Sequence, residues 1–511
     1  MSYKIFGAIC LGSVEQELTV YEIRSGGGIK PVDRATTVLP LFNDTFGEGR
    51  ISIESLDALC ETLEKYAEVL RSYKADAYKV YATVAIREAK NCATILDRIK
   101  VRTGMDVELI SNSEQRYLNY KALAHNEGEF NEVIKSGTLI LDTGYGSLQF
   151  SIFNDDALIS TENISLGAAT ILSNLSRARI ADEQILDRAE EMINSELINY
   201  KKLYLKGMDI ETIFGIGENA LYRYWAQEKP ELLRQAVDAQ LILSECEEII
   251  NTKNSELSEI LGRSETYSLL LSIAAMYYKR IIEVTGAKVL FFPCINFTDG
   301  MAVEYAERIK AYKPKHDFEN DIISESRNMA KRYRCNTLHS ASVEEYALLI
   351  FDAVRKFSGL SKRDRLLIQI AAILHDCGKF VSIKNADECG YFIVLSTEII
   401  GLSHAERKMI AGVVRVRNTA SFDYELASES GDPIKLAKLS AILCLANALD
   451  RGHVDKLKDT RVEVREKSME LAILASYDGD LTLEKLAVSE NSRLFEEVFG
   501  LRPSFRQKKR I

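Results

Sequence analysis

The feature that most constrains the fold of this chain is a strand–turn–strand pattern that occurs twice. The segment Leu139–Ile152 (LILDTGYGSLQFSI) places apolar residues on both sides of a turn that contains Gly144 and Gly146. The segment Lys4–Ile23 has the same pattern, with its turn at Gly12. Aligning the turns pairs Gly12 with Gly144, which are 132 residues apart (144 − 12). Two such units predict a duplicated α/β domain that holds a ligand between its halves.

Both turns are suited to an anion. Glycine allows backbone N–H groups to point into a concavity that accommodates negative charge. Asp142, at the end of a strand in the second copy, offers a carboxylate for a metal ion or a water molecule beside that anion. The aligned residue in the first copy is Cys10, which indicates a modified site. For a single motif the alternative is a hairpin whose glycines serve only the turn, and the second copy favours the ligand site.

Length and composition limit the class of protein. A chain of 511 residues is too long for one core, so about three domains are expected. The net charge of −10 argues against a surface that binds nucleic acid. No apolar run approaches the roughly 20 residues that span a bilayer. The nine cysteines are scattered without a CxxC pair, as is typical of a reducing compartment. We therefore expect a cytoplasmic protein without a nucleic-acid or membrane partner.

The order of the periodic segments predicts three domains and a linker. Strands and helices alternate in residues 1–125, and the alternation restarts in residues 126–311, which predicts two α/β domains. Residues 312–320 are polar, contain a proline and break the periodicity, so they are interpreted as a linker. Residues 321–511 have helical spacing, with a small C-terminal α/β extension. The basic segment Arg502–Arg510 is interpreted as a solvated tail.

Local patterns predict individual elements within these domains. Ser111 and Glu114 form a capping-box pattern at the start of a helix, and Asp299 is predicted to begin the last helix of the second domain. The predicted strands include Arg34–Leu41, Ala77–Thr83, 138–143, 148–153, 157–164 and Glu211–Ile216. The predicted helices include Ile53–Ser72, Ala89–Thr103, Glu265–Glu283, Ser342–Phe357, Asp364–His375, Ala405–Val416 and Pro433–Leu449.

Several motifs, in order along the chain, resemble those of one known family. Tyr81–Asn91 (YATVAIREAKN) is similar to the signature ATxAxREAxN. AICLGS near the N-terminus is similar to AxDxGS, Ile110–Leu118 (ISNSEQRYL) to ISGxEEAxL, and Asp142–Phe150 (DTGYGSLQF) to DIGGGSTEL. Ser165–Ala168 (SLGA) is similar to a later xxGA motif. The chain thus resembles the exopolyphosphatase / guanosine pentaphosphate phosphatase (Ppx/GppA) family over essentially its whole length.

The resemblance implies an α/β fold with a duplicated actin-like core (ribonuclease H-like, ASKHA), followed by an all-helical HD-like domain. It also implies a homodimer, and polyphosphate or a phosphorylated guanine nucleotide such as pppGpp as the ligand. Members of the family hydrolyse a terminal phosphoanhydride bond. This reaction requires an activated water, cations or N–H groups on the phosphate oxygens, and usually Mg²⁺.

The motifs also carry site residues over to this chain. Arg87 has the position of the phosphate-clamping arginine, Asp142 that of a metal or water carboxylate, and Glu114 is a second retained carboxylate. For Arg87, the alternative is a surface residue that pairs with Glu88 or with a helix end. The phosphate-binding positions implied by the resemblance are Gly12, Ser13, Gly144, Gly146, Ser147, Gly215 and Gly217.

Three catalytic positions of the family carry other residues here. Cys10 replaces an aspartate, Gln115 replaces the glutamate proposed as the base, and Gln149 replaces a late glutamate. An amide cannot take a proton from water near neutral pH, and fewer carboxylates hold Mg²⁺ less well. Tyr145 also adds bulk in the glycine turn. The sequence therefore predicts a pseudoenzyme that binds a phosphate chain with weak or absent turnover. The alternative is an active phosphoanhydride hydrolase that uses Mg²⁺.

The HD-like region also lacks some of the residues of its family motifs. His375 and Asp376 resemble the HD pair, and His339 matches the upstream metal histidine. Arg417 and Asn447 stand where a histidine and an aspartate are usual. One residual metal ion and a structural histidine pair remain open alternatives. The candidate metal ligands are His339, His375 and Asp376, with Asp450 nearby in sequence.

Overall fold

The computed structural model consists of two compact units, Met1–Phe318 and Glu319–Ile511. Each unit is described by itself. The residues described are 3–126, 130–217, 220–416, 422–424, 431–477 and 479–507. Arg417, where the family has a histidine, lies outside these residues. Among the described residues, no helix combines the length and the apolar character that spanning a membrane requires.

The first unit contains a five-stranded sheet in the order β3-β2-β1-β4-β5. β1, β2 and β3 are antiparallel, whereas β4 and β5 continue parallel to β1. Alternate residues of β1 point to opposite faces of the sheet. Both faces carry apolar residues, and helices cover both of them. Ile9 belongs to an apolar cluster with Leu59, and Ala8 to one with Met301. The strands are β1 Tyr3–Leu11, β2 Glu15–Arg24, β3 Gly28–Val38, β4 Ala77–Ala82 and β5 Val107–Leu109.

A six-stranded sheet in the same unit repeats this arrangement in the order β10-β11-β9-β6-β7-β8. Apart from the antiparallel edge strand β10, its order and strand directions are those of the first sheet. The Gly12 N–H donates to Glu15 O at 3.0 Å, and the Gly144 N–H donates to Ser147 O at 3.0 Å. The predicted duplication is therefore confirmed. The strands are β6 Thr138–Thr143, β7 Leu148–Asn154, β8 Ala157–Ile164, β9 Thr212–Ile216, β10 Ala236–Asp238 and β11 Val289–Phe291.

The helices of the first unit pack on these two sheets. Helix α2 has the predicted bounds, Ile53–Ser72, because the Ser52 side chain caps its N-terminus and one face is apolar and buried. The other helices are α1 Phe42–Gly47, α3 Val84–Arg87, α4 Cys92–Thr103, α5 Asn112–Asn126, α6 Phe130–Val133, α7 Ala168–Arg177, α8 Ile185–Tyr204, α9 Ala220–Glu228, α10 Ala239–Asn251, α11 Asn254–Leu261, α12 Glu265–Thr285 and α13 Phe297–Arg308.

Three predicted bounds in this unit are wrong. The strand predicted at Arg34–Leu41 begins earlier, at Gly28, and ends at Val38. The helix predicted at Ala89–Thr103 begins later, at Cys92, and the short α3 at Val84–Arg87 precedes it. Helix α13 begins two residues before Asp299, because Asp299 is the third residue of a capping box with Asn296.

The second unit is mainly helical and ends in a three-stranded sheet. A helix begins at Phe318, the last residue of the first unit, so the last residues of the segment predicted as a linker, 312–320, are helical. The predicted tail is also partly a strand, since Arg502–Gln507 pairs in parallel with β13. The helices are α14 Phe318–Arg332, α15 Thr337–Ser358, α16 Lys362–Leu374, α17 Ala386–Ser396, α18 His404–Arg415, α19 Pro433–Leu449 and α20 Thr482–Phe499. The strands are β12 Leu457–Arg465, β13 Glu470–Tyr477 and β14 Arg502–Gln507.

Candidate functional site

A cavity of the first unit lies at the two hairpin turns. It is lined by many of the residues that the sequence predicted for phosphate and metal binding. The predicted residues that line it are Ser13, Gln115, Asp142, Gly144, Gly146, Ser147, Gln149 and Gly217. The cavity is also lined by residues outside that set, among them Thr83, Val84, Asn112, Asn119 and Asn296.

The second hairpin turn is fixed by the N-terminus of α7. The Ala169 N–H donates to Tyr145 O at 2.9 Å, and the Thr170 hydroxyl donates to Gly146 O at 2.9 Å. Gly167 allows this approach, since a Cβ there would lie 2.2 Å from Tyr145 O. The SLGA motif therefore holds the turn in place. Tyr145, predicted to add bulk in this turn, is buried in the apolar cluster of the second sheet and also lines the cavity.

Asp142 lies at the end of β6, directly opposite Gln149 on β7. Its Oδ2 accepts a hydrogen bond from Asn119 Nδ2 at 2.7 Å. Burial raises the pKa of Asp142, against the opposing effects of that hydrogen bond and of the Arg116 charge. Gly217 has a φ of +115°, and a Cβ there would lie 2.6 Å from Asp142 Oδ1. The close approach of β9 to Asp142 therefore requires glycine.

Arg116 is the main residue of the site that sequence reasoning missed. It lies on α5, is fully buried, and donates from Nε to Gln149 Oε1 at 2.9 Å. Its Nη2 donates to Glu162 O at 3.5 Å. The available signal was in the motif, because Arg116 stands where ISGxEEAxL has alanine.

Arg87 and Glu114 do not line the cavity. The Arg87 guanidinium donates to Ile110 O and, at 2.8 Å, to Asn112 Oδ1. It also lies 3.7 Å from the Glu88 carboxylate, which was the alternative partner. Glu114 Oε2 accepts from the Ser111 N–H at 3.1 Å, and the Glu114 N–H donates to Ser111 Oγ at 3.3 Å. The predicted capping box is confirmed. It engages the carboxylate of Glu114, which is one of the two carboxylates retained from the motifs.

The other predicted positions also lie away from the cavity. Cys10 is buried in the apolar cluster between β1 and α13. The Gly12 N–H closes its own turn by donating to Glu15 O. Gly215 lies inside β9, where a Cβ would come within 2.6 Å of Phe292 and Tyr278, so it is a packing residue and not part of an anion-facing turn.

A second cavity, of about 520 Å³, adjoins the first and shares Tyr145, Gly217, Ile295 and Asn296 with it. It is lined by three arginines and two glutamates. Glu15 forms an ion pair with Arg223, and Glu17 lies 3.5 Å from Arg34. Arg234, the third arginine, forms no ion pair within the part of the chain that the structure describes. This wall therefore carries net positive charge beside the Asp142 cavity.

A model of the Ppx/GppA phosphatase family matches residues 19–285, and a model of domain III of these phosphatases matches residues 324–491. The chain belongs to the Ppx/GppA phosphatase family. A curated relative is a guanosine-5′-triphosphate,3′-diphosphate pyrophosphatase of Photobacterium profundum. It is 20% identical over 463 aligned positions, and the match covers 86% of each chain.

Solved structures of Ppx/GppA proteins share the fold. A family member from Aquifex aeolicus superposes with a TM-score of 0.50 and 18% identity, covering 60% of this chain and 99% of that one. An exopolyphosphatase from Cytophaga hutchinsonii superposes with a TM-score of 0.53 and 15% identity, covering 61% of this chain and 100% of that one. With the two matching sheets, these similarities confirm the predicted actin-like α/β core.

In the second unit, most of which matches domain III of the family, two buried histidines face each other. His339, on α15, donates from Nδ1 to Asp450 Oδ2 at 2.7 Å. His375, at the end of α16, donates from Nδ1 to Ala372 O at 2.7 Å, because a carbonyl oxygen can only accept. The two Nε2 atoms, 3.2 Å apart, therefore carry lone pairs in these tautomers.

This geometry fits a single metal ion. Two nitrogen ligands at about 2.0–2.1 Å from a tetrahedral ion lie roughly 3.4 Å apart. Asp376 Oδ1 lies 3.8 Å from His375 Nε2, and the three candidate ligand atoms are all within 4.8 Å of one another. Burial lowers the pKa of His375 to about 4, which keeps its imidazole neutral and able to bind a cation near pH 7. Lys379, which donates to Asp376 Oδ2 at 2.6 Å, opposes a second ion.

Proposed function

We propose that the protein binds a phosphate chain, in the form of polyphosphate or a phosphorylated guanine nucleotide, in the Asp142 cavity. The observation that carries this proposal is the pair of fixed hairpin turns beside that cavity, in a chain of a phosphatase family. The positively charged wall of the adjoining cavity supports it, since Arg34, Arg223 and Arg234 offer N–H donors to phosphate oxygens.

We further propose that hydrolysis by this protein is weak or absent. Asp142 is the one carboxylate that lines the cavity among the described residues, and one of its oxygens is bonded to Asn119. Gln115 and Gln149 line the cavity as amides, which cannot activate water as a base. Glu114 is used as a helix cap. The alternative, an active phosphoanhydride hydrolase with Mg²⁺, requires Asp142 alone to provide the base or the metal ligand.

Phosphate release separates these two functions. The protein is incubated with polyphosphate or pppGpp and Mg²⁺, beside the variant Gln115→Glu/Gln149→Glu. We expect little release by the unmodified protein and more by the variant, because two carboxylates return to the cavity. Robust turnover by the unmodified protein contradicts the proposed loss of activity. Calorimetric titration with the same ligands tests binding, and a flat trace with both contradicts the binding function.

A second candidate function is a single divalent-cation site in the second unit. We propose that His339, His375 and Asp376 hold the ion, as the family's HD-like domain suggests and as the facing Nε2 atoms favour. Metal analysis of the protein after dialysis against Zn²⁺ is expected to give about one ion per chain, lost in His375→Ala. His404→Ala removes an exposed histidine of the same unit and is the control. An equal metal content in both variants contradicts the site and leaves the structural histidine pair.

We also propose a homodimer and a cytoplasmic location, both from the family resemblance and the composition. Sedimentation equilibrium tests the first, with a mass of about twice 57.5 kDa expected. Fractionation of cells that produce the protein tests the second.

A further inference from the structure

The formal charge at five motif positions of the first unit differs strongly from that implied by the family motifs. Gln115, Asp142 and Gln149 line the cavity, whereas Cys10 and Arg116 do not. Those motifs place carboxylates at the positions of Cys10, Gln115, Asp142 and Gln149, and an alanine at the position of Arg116. This chain keeps Asp142 alone and adds a guanidinium. Across the five positions the formal charge therefore changes from −4 to 0. A site without excess negative charge has lost its main attraction for a divalent cation.

Arg116 is a buried cation with no carboxylate at ion-pair distance within the described chain. It is 0% exposed, and among the described residues it forms no ion pair. Its Nη1 has no hydrogen-bond partner in the part of the chain that the structure describes. Burying an uncompensated charge is costly, and buried charges in proteins are normally paired. The Asp142 carboxylate interacts electrostatically with Arg116, but no hydrogen bond or ion pair joins the two side chains among the described residues. An anionic ligand in the cavity would add a further negative charge near the guanidinium.

Two oxygen atoms of the cavity wall that could bind Mg²⁺ already accept hydrogen bonds. Gln149 Oε1 accepts from Arg116, and Asp142 Oδ2 accepts from Asn119. Mg²⁺ requires near-octahedral oxygen ligands, and a neighbouring guanidinium repels it. A single carboxylate near a buried guanidinium is therefore a weak site for this ion, although Asn119 Oδ1 is buried and has no hydrogen-bond partner among the described residues. Because Gln149 Oε1 accepts a hydrogen bond from Arg116, the remaining polar group of the Gln149 side chain is its amide Nε2, which is a donor. A carboxylate acceptor has thus become a hydrogen-bond donor suited to a phosphate oxygen.

We propose that this cavity binds its phosphate ligand without a divalent cation, and that Arg116 takes over the role of the ion. Arg116 supplies the fixed positive charge beside the cavity and orients the amide of Gln149, so it acts as a positioning residue. This inference rests on the proposed binding function and specifies its chemistry. It predicts a preference for the fully ionised phosphate chain over its Mg²⁺ complex.

The test is calorimetric titration of the full-length protein with inorganic tripolyphosphate, in EDTA and in Mg²⁺. In EDTA we expect an affinity at least equal to that in Mg²⁺, because the free trianion and higher charge states then predominate. Arg116→Ala is expected to weaken binding in EDTA about 10-fold or more, the loss that follows from a charge-assisted interaction. Arg116→Lys keeps the charge without the guanidinium geometry. Its affinity is expected to lie between those of the unmodified protein and Arg116→Ala.

Two further variants complete the design. Arg98→Ala removes an exposed arginine of the same unit, which is paired with Asp57 at 2.7 Å, and is expected to bind as the unmodified protein does. Cys10→Asp/Gln115→Glu/Arg116→Ala/Gln149→Glu restores the motif residues and is expected to need Mg²⁺ for binding. Thermal unfolding verifies that each variant folds. The comparison of EDTA with Mg²⁺ on the unmodified protein does not depend on the variants.

The outcomes distinguish this inference from the function on which it rests. Binding by the unmodified protein in Mg²⁺ but not in EDTA overturns the inference and leaves the binding function intact. Unchanged affinity in a folded Arg116→Ala also overturns it. Absence of binding in both solutions contradicts the binding function for this ligand and the inference together.

Discussion

Gly217 lies where the end of β9 passes closest to Asp142, and two separate effects exclude a side chain there. Its φ of +115° is unfavourable for other residues, and a Cβ would collide with Asp142 Oδ1 and with the backbone of Thr143. Gly207 is a matched comparison, because its φ is +79° but nothing lies within 4 Å of its Cβ position. Comparing substitutions at Gly217 and Gly207 therefore distinguishes the cost of backbone strain from the cost of displacing Asp142.

We therefore predict that Gly217→Ala lowers the free energy of unfolding more than Gly207→Ala does. The strain alone costs about 1–3 kcal/mol at either position, and the collision adds to it only at Gly217. Urea denaturation measures both. Tripolyphosphate binding is expected to weaken only in Gly217→Ala, because Asp142 must move. Equal losses in the two variants are the result that contradicts this account.

A second prediction at the residue scale concerns Glu114, whose carboxylate caps α5 through Ser111. Glutamine also serves in a capping box. Glu114→Gln is therefore expected to retain stability within about 0.5 kcal/mol and to retain ligand binding, whereas Glu114→Ala loses about 1 kcal/mol. Chemical denaturation and calorimetry check this. A large loss of residual phosphate release in Glu114→Gln would show that the carboxylate also acts in chemistry.

The sequence predicted the turn residues of the site but not its buried cation. Asp142 and the glycines after it are recognisable because a turn requires them at fixed spacing. Arg116 is different, since its environment depends on Gln149, which is 33 residues away in sequence. On a helix, an arginine beside a glutamine is typical of a solvated face. Only the tertiary packing of α5 against β7 buries it.

At the scale of elements, buried strands were predicted more closely than exposed ones. β6, β7 and β8 lie within one residue of their predicted bounds, and β6 and β7 are inner strands that are buried over most of their length. β3 is mostly exposed, so its pattern does not mark where it begins. β14 carries arginines and was interpreted as a tail, yet it pairs with β13, and Arg506 bonds to Glu470. Local composition does not report such pairing.

The capping box of α16 gives a prediction for pH dependence. Burial favours the neutral form of Asp364, but the hydrogen bonds from Ser361 and the interaction with Lys435 outweigh it and lower its pKa. Because the pKa of Asp364 is lower in the folded state, its contribution to stability is complete above the unfolded value of about 4 and is lost as the pH falls through the folded value.

Asp364→Asn is accordingly expected to destabilise the protein by about 1 kcal/mol at pH 7. The difference from the unmodified protein is expected to shrink below about pH 4. Urea denaturation across this pH range, monitored by circular dichroism, measures both effects. A difference that stays constant down to the acid limit contradicts the role of the Asp364 charge.

For the whole molecule, the two compact units divide the chemistry between them. The duplicated sheets and the Asp142 cavity belong to the first unit, and the facing histidines belong to the second. The duplication was predictable from sequence because both hairpins keep their turn spacing over 132 residues. The ligand preference that we propose for each unit was not, because it depends on which groups the packing leaves unpaired. The proposed anion site and the proposed cation site are expected to respond differently to a chelator.

We predict that EDTA removes stabilisation from the second unit and leaves ligand binding by the first intact. Excess Zn²⁺ stabilises a unit that binds it by about 2.7 kcal/mol at 100 times its dissociation constant, and EDTA abolishes that effect. Calorimetry follows the thermal unfolding of both units. The single tryptophan, Trp225, is buried in the first unit, so its fluorescence follows the unfolding of that unit. The Zn²⁺ effect is expected to disappear in His375→Ala, while the rise in the Trp225 transition caused by tripolyphosphate persists in EDTA. If EDTA instead abolishes the Trp225 response to tripolyphosphate, the first unit needs a cation and the division of roles is wrong.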